Sequence, residues 1–324
     1  MASQSDAETR ADLQALSIVV LSYNRRPELE KNIPYLCGVA RTSGCQLIVV
    51  DNASTDGSGE FLTKTRDEYS ELVVIQNDRN AGVSGGRNLG WRAADRPWIL
   101  NIDDDTQLSE ADIFHLLSAG QSDETIGILS PRIVHAETGK SQCDFGSDVV
   151  RTANFHGACH LVRREVFARV GELDPECSFG GEELDYSIRA RCLGFDIVYA
   201  PVTTVRHNNF ERSGDEGEWR RRQWIFNYTR VLFKHFPMGM ALLFAFRSLL
   251  SHVVSGLRTR GVFFAASLSR PFLKGVWAGR RSHHTIPGTV VAFYSNPTLT
   301  PEFGNVPLWK KLSFARSLAA RTPR

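Results

Sequence analysis

Four short, almost wholly apolar runs constrain this chain most: 17–23 (SIVVLSY), 46–50 (QLIVV), 72–76 (LVVIQ) and 98–102 (WILNI). Helix-compatible stretches separate them. This is the pattern of parallel strands joined by crossover helices, and runs so apolar predict strands buried on both faces. In such sheets ligands bind beyond the carboxyl ends of the strands. Those ends are polar here: Asn24-Arg25-Arg26-Pro27 follows the first run, Asp51-Asn52-Ala53-Ser54-Thr55-Asp56-Gly57 the second, and Asp103-Asp104-Asp105 the fourth. Any one of them can serve as a helix cap or turn. Three at one sheet edge point to a crevice built to hold a ligand.

Between the third and fourth runs lies 82–90 (GVSGGRNLG), which opens a helix but fits neither phosphate-binding glycine signature. After residue 130 the alternation breaks. A hairpin is expected around 137–140, then the stretch 156–162 (HGACHLV), a helix over 182–192, short strands near 196–199 and 204–207, helices from 218 to Pro287, and a loop-rich end. The 324 residues, 42% of them hydrophobic, suffice for a substantial core and about two folding units.

The net charge of +2 conceals a division: residues 1–205 carry 19 Lys and Arg against 31 Asp and Glu, and residues 206–324 carry 19 against 5. An acidic body thus precedes a basic tail. The tail also holds two uncharged runs, 235–246 and 248–257, separated by Arg247. Each is shorter than the roughly 18 apolar residues of a membrane-spanning helix. Basic and apolar faces together suit a helix lying on an anionic membrane, and equally a helical subdomain packed on the body or on a second subunit. No nucleic-acid motif accompanies the basic residues. Residues 1–15 are polar, without the apolar core of a secretory signal, so a disordered start and a cytoplasmic protein are expected. The six scattered cysteines form no CxxC pair and read as reduced, buried thiols.

Three adjacent aspartates on a strand-to-loop turn repel one another unless a cation neutralises them or water solvates them. His207, at the end of a short strand, can complete such a site, and mixed carboxylate and imidazole ligands accept Mn²⁺ or Mg²⁺. Glu182-Glu183-Leu184-Asp185-Tyr186 follows Gly180-Gly181 at a helix start. Those carboxylates suit a general base, but acids also favour helix N-termini, and Asp185 can pair with Arg189 one turn on.

Taken in order, Ser22-Tyr23-Asn24-Arg25, 50–58 (VDNASTDGS), 80–90, Asp103-Asp104-Asp105, Glu182 to Tyr186 and Val205-Arg206-His207 resemble the family 2 glycosyltransferases of the GT-A fold, especially bacterial rhamnosyltransferases and galactofuranosyltransferases. The resemblance covers about residues 16–210. It implies a Rossmann-like, mostly parallel central sheet flanked by helices, with a nucleotide-sugar part at about 16–130, an acceptor part at about 131–215, and a basic, apolar helical extension over 216–324. It assigns Ser22, Asn24, Arg25 and Asp51 to the nucleotide, Asn80, Gly82, Arg87 and Asn88 to the donor's sugar and phosphates, and Asp103 with Asp104 to the ribose side. Asp105 and His207 take the metal, and Glu183 is the general base with Glu182 just before it. Glu182, Asp185 and His156 face the acceptor. Many relatives have an aromatic residue before the acidic pair and Asp as the base, where this chain has Gly181 and Glu183.

The implied activity is inverting transfer from a nucleotide sugar, UDP- or dTDP-linked, to a hydroxyl acceptor such as a lipid-linked or cell-envelope glycan. A peripheral place on the inner face of the cytoplasmic membrane and a homo-oligomer are compatible with it. The rival readings are a catalytically inactive nucleotide- or carbohydrate-binding protein at a membrane surface and a sugar nucleotidyltransferase, which would release pyrophosphate.

Overall fold

The computed structural model describes residues 12–208, 214–296 and 298–300, so most of the expected disordered start, and residues 301–324, lie outside it. Within the start, Leu13 is fully buried. The chain divides into two compact units, Met1–Asn227 and Tyr228–Arg324.

In the first unit, β1 (Leu16–Ser22), β2 (Gln46–Asp51), β3 (Leu72–Gln76) and β4 (Trp98–Asp103) run parallel in the order β3-β2-β1-β4. The crossovers contain α1 (Arg26–Ser43), α2 (Ser58–Glu68) and α3 (Gly82–Ala93). Pairing of Ser22 with Asp51 and of Leu21 with Asp103 brings three strand ends level, so the polar segments after them share one edge. The central strands feed two cores. Ile18, Val20, Leu47, Val49, Leu100 and Ile102 enter one, while Val19, Ile48, Val50 and Ile99 enter the other. Each such side chain contributes about 1.5–3 kcal/mol by leaving water, which fixes the register from both faces. β3 departs from the expected double burial: Leu72 is buried but Val73 is 39% exposed, because β3 is the sheet's outer strand. The glycine-rich run lies within α3, where a Cβ on Gly86 or Gly90 would collide with Leu21 or Val19 of β1. These glycines let the helix approach the sheet closely.

Beyond β4 the sheet is mixed rather than mostly parallel. β9 (Cys159–Arg163) lies antiparallel between β4 and β6 (Ile126–His135), and β10 (Asp196–His207) runs parallel to β6. β7 (Ser141–Cys143) completes the expected hairpin with β6, and β8 (Val150–Arg151) pairs with β10. The two strands expected within 196–207 are one, with a register shift between Tyr199 and Thr204 around Pro201. β5 (Thr106–Gln107) pairs antiparallel with the end of β10, setting Thr106 opposite His207. α4 (Glu110–Gln121) starts from a reciprocal cap between Ser109 and Asp112; α5 (Arg164–Val170) and α6 (Glu182–Cys192) follow. Five cysteines are buried, Cys192 is half-buried, and no disulfide forms among the described residues.

α7 (Gly214–His235) begins in the first unit and ends in the second. The second unit continues with α8 (Met238–Arg260), α9 (Val262–Ser267), α10 (Ser269–Arg281) and α11 (Gly288–Ser295), the last in a stretch expected to be loop. From Met238 onward, the two apolar runs expected to be too short for a membrane span form one helix. α8 continues through Arg247 and is long and apolar enough to cross a membrane, with a mean hydropathy of 1.6 and 22% of its apolar window buried.

Candidate active site

The sheet topology brings the acidic turn and the distant histidine together. Asp103 ends β4, Asp105 precedes β5, and the β5–β10 pairing places His207 against both. His207 Nε2 stands 3.1 Å from Asp105 Oδ1 and 3.9 Å from Asp103 Oδ2. One ligand atom from each of the three residues lies within 4.8 Å of the others. On the far side of the ring, Nδ1 donates to Gln142 Oε1 over 2.6 Å, which aims Nε2 at the carboxylates. Burial lowers the His207 pKa, but the hydrogen bond to Asp105 and the charges of Asp103 and Asp105 outweigh it and leave the pKa raised. Two carboxylates and an imidazole oriented from behind form an oxygen–nitrogen donor set that fits a divalent cation such as Mn²⁺ or Mg²⁺. Arg25 Nη2 lies 3.6 Å from Asp105 Oδ2 at the same edge.

Asp104 turns the other way. It is buried, accepts a 2.7 Å hydrogen bond from Ser22 Oγ, and burial raises its pKa well above the carboxylate range. It ties the turn to β1 instead of joining the cluster. Asp103, expected on the ribose side, is part of the metal-competent group.

The loops after β1 and β2 are sewn together. Asn24, in the left-handed region at φ 52°, accepts the Thr55 backbone N–H at 2.7 Å, and its own N–H donates to Ser54 Oγ. Asp51 is buried and accepts the Ser54 N–H; it supports the loop from beneath, beside the residues that line the cleft. Asn52 holds the next loop, donating to Asn80 Oδ1 and the Gly82 carbonyl and accepting from Asn77 and the Ala81 N–H.

The acidic pair opens α6 after Gly181, whose φ of 90° suits glycine. Glu182 is buried, whereas Glu183 is only half-buried and keeps access to the cleft. Arg87, from α3, is 4% exposed; it donates to Asp103 Oδ1 and to the Gly157 carbonyl at 2.9 Å each, with Nη1 3.8 Å from Glu182 Oε1. It therefore braces both acidic groups from within the wall. Burial raises the pKa of both glutamates, most strongly that of Glu182, which Glu183 raises further, while Arg87 pulls both back. Gly157 leaves room for Glu183: a Cβ there would stand 2.6 Å from Glu183 Oε1. His156 lines the cleft; its Nδ1 accepts the Ala158 N–H, which fixes a neutral ring with the proton on Nε2, and burial holds its pKa at about 4.

Two expected site residues face elsewhere. Asn88 makes paired 2.9 Å hydrogen bonds with the Leu173 backbone, and Asp185 is fully buried in a 2.8 Å ion pair with Arg189. Neither lines the cleft, because α3 and α6 turn those positions toward the protein interior. Ser22, Asn24, Arg25, Asn80 and Gly82 do line it, as do Arg87, Asp103 to Asp105, His156, Glu182, Glu183 and His207, around a volume of about 640 Å³.

Residues 17–142, which carry the loops and the acidic turn, match the model of glycosyl transferase family 2. This part of the chain is therefore similar to family 2 glycosyltransferases. The chain is 25% identical over 219 residues to a low-salt glycan biosynthesis hexosyltransferase of Haloferax volcanii, covering 60% of this chain and 68% of that one. It is 20% identical over 241 residues to a poly-beta-1,6-N-acetyl-D-glucosamine synthase of Staphylococcus aureus, covering 69% of this chain and 57% of the synthase. The fold is GT-A, similar to a mannosyltransferase of Pyrobaculum calidifontis solved with GDP-Man and Mn²⁺: TM-score 0.56, 16% identity, covering 82% of this chain and 84% of that one.

The cleft also uses residues that the sequence alone did not assign to the site. Gln142 acts from behind the lining, and Asn52, Phe179, Trp219 and Trp224 stand in the cleft wall. Asn52 lay within a noted polar run and could have been found there. Gln142, in a short strand without a motif, carried no signal.

Proposed function

We propose that the chain transfers a sugar from a nucleotide-sugar donor, UDP- or dTDP-linked, to a hydroxyl acceptor by a single displacement that inverts the anomeric centre. The observation that carries this reading is one cleft holding both an accessible Glu183 and the Asp103–Asp105–His207 group, with Arg87 bonded to Asp103 and facing Glu182. Asp103, Asp105 and His207 would hold a divalent cation, which when bound supplies charge neutralisation for the departing nucleoside diphosphate. Arg25 stands where it can add positive charge to the same group. Glu183 takes the proton of the acceptor hydroxyl, whose oxygen attacks the anomeric carbon from the face opposite the nucleotide. Its raised pKa makes it a stronger base than a solvated carboxylate. Glu182, buried beside Arg87, fixes the pair's electrostatics, and the His156 Nε2–H is available to orient the acceptor.

A lipid-linked or cell-envelope glycan as acceptor is supported by the second unit considered alone. Phe246, Phe263, Leu273 and Trp277 are each at least 60% exposed there, and α8 and α10 end in Arg258, Arg260, Arg280 and Arg281. Such a surface fits an anionic membrane face. Arg247, near the middle of α8, would be costly at a bilayer centre and favours a helix lying along the membrane over one crossing it.

Nucleoside diphosphate release from UDP- and dTDP-sugars tests the reading. Wild-type protein should release it with Mn²⁺ present, and Glu183→Gln should abolish release while still binding the nucleotide. Tight nucleotide binding by the wild type without any donor cleavage would instead make the chain a binding protein.

A further inference from the structure

An aromatic rim borders the cleft beside the acidic pair. Phe179, from the segment leading into α6, and Trp219 and Trp224, from the first turns of α7, line the same cleft as Glu183. The Phe179 and Trp219 ring centroids are 6.1 Å apart, and the Arg220 guanidinium lies 4.8 Å over the Phe179 ring. Trp224 lies against Gly180, at φ 74°, where a Cβ would come within 2.5 Å of Trp224 Cδ1. The turn that delivers Glu182 and Glu183 is thus shaped to accept an indole. The carbonyl of Phe179 is held by the Asn227 amide at 3.0 Å, which anchors the ring's backbone to α7.

This rim is neither a satisfied core nor a uniformly greasy surface. Trp219 is 46% exposed although it belongs to a cleft wall, and the charged pair Glu216–Arg220, 3.0 Å apart, is interleaved with the rings on the same stretch of helix. Aromatic faces beside a carboxylate and a guanidinium match the chemistry of a pyranose, which has an apolar face of C–H bonds and an equatorial belt of hydroxyls. A lipid chain would leave the charged pair unmatched. A bare alcohol would leave the rings uncovered.

We infer that Phe179, Trp219 and Trp224 form the acceptor subsite and that the acceptor presents a pyranose ring, stacked on this rim with one hydroxyl toward Glu183. The inference rests on the transferase reading of the cleft. The aromatic surface that many relatives place before the acidic pair, and that Gly181 cannot supply, comes here from Phe179 and from α7.

Saturation-transfer NMR on the full chain tests it, with nucleoside diphosphate and Mn²⁺ present and the methyl glycosides of glucose, galactose, mannose and N-acetylglucosamine as probes. The expected result is saturation of ring C–H protons of at least one glycoside by the wild type, loss of that signal in Trp219→Ala and Phe179→Leu, and its retention in Trp219→Phe. Nucleotide affinity, measured on the same samples, should be the same in all four proteins, which also shows that the variants are folded. Absence of saturation by the wild type, or equal saturation by Trp219→Ala, overturns the inference. So does a Trp219→Ala variant that weakens the nucleotide instead, since the rim would then belong to the donor. Failure of the wild type to bind any nucleoside diphosphate is a different result and removes the transferase reading itself.

Discussion

At the scale of single residues, the site depends on neighbours that differ in which way they face. Glu182 and Glu183 are adjacent and both line the cleft, yet Glu182 is buried and Glu183 only half-buried. Glu183→Gln should therefore lower transfer by about 10²–10⁴-fold with donor binding intact, the usual cost of losing a general base. Steady-state kinetics beside nucleotide titration checks this, and an equal loss of donor binding contradicts it. As the proposed base, Glu183 must be ionised to act, and its pKa is raised, so kcat should climb as pH rises through a midpoint above the ordinary carboxylate range. A profile already flat at the pH where free glutamate ionises would contradict that sign. The same logic separates Asp104 from Asp105: Asp105→Asn should weaken metal-dependent nucleotide binding and Asp104→Asn should not, because Asp104 bonds Ser22 beneath the turn. Three consecutive aspartates cannot reveal from sequence which one turns inward. That depends on the β1 hydroxyl and on the pairing of β5 with β10.

At the scale of elements, strands carry residues to the site and short side chains hold them there. Gln142, on β7, orients His207, so Gln142→Ala should cost about 10–100-fold in Mn²⁺ affinity, as loss of an outer-shell partner does, measurable by titration. Unchanged affinity would mean the imidazole needs no support. Gly157→Ala would put a methyl carbon against Glu183 Oε1, so transfer should fall while nucleotide binding persists. The central strands were legible because burial on both faces leaves a continuous apolar run. β3 has the same run but lies at the sheet edge, and no local signal marks an edge. The gap near Pro201 read as a break between strands, whereas pairing with β6 carries β10 across it. Asn88 and Asp185 shared motifs with true lining residues, but helical rotation turns them inward. The aromatic rim escaped notice because Phe179 and Trp219 are far apart in sequence and meet only in three dimensions.

At the scale of the whole molecule, charge is partitioned along the chain, with an acidic half that carries the cation-competent cleft and a basic, apolar half rich in exposed large side chains. Phe263→Asp with Trp277→Asp should reduce sedimentation with phosphatidylglycerol vesicles and leave nucleotide binding alone; undiminished sedimentation would assign those side chains to protein packing. Calorimetric titration distinguishes a metal-dependent nucleotide-sugar cleft from one that binds no nucleotide. The protein would be titrated with uridine, thymidine and guanosine diphosphates, each with Mn²⁺ and with chelator. One nucleotide should bind with Mn²⁺, and chelator or His207→Ala should weaken it. Binding of none, or binding indifferent to both chelator and His207→Ala, would contradict a metal-dependent nucleotide-sugar cleft.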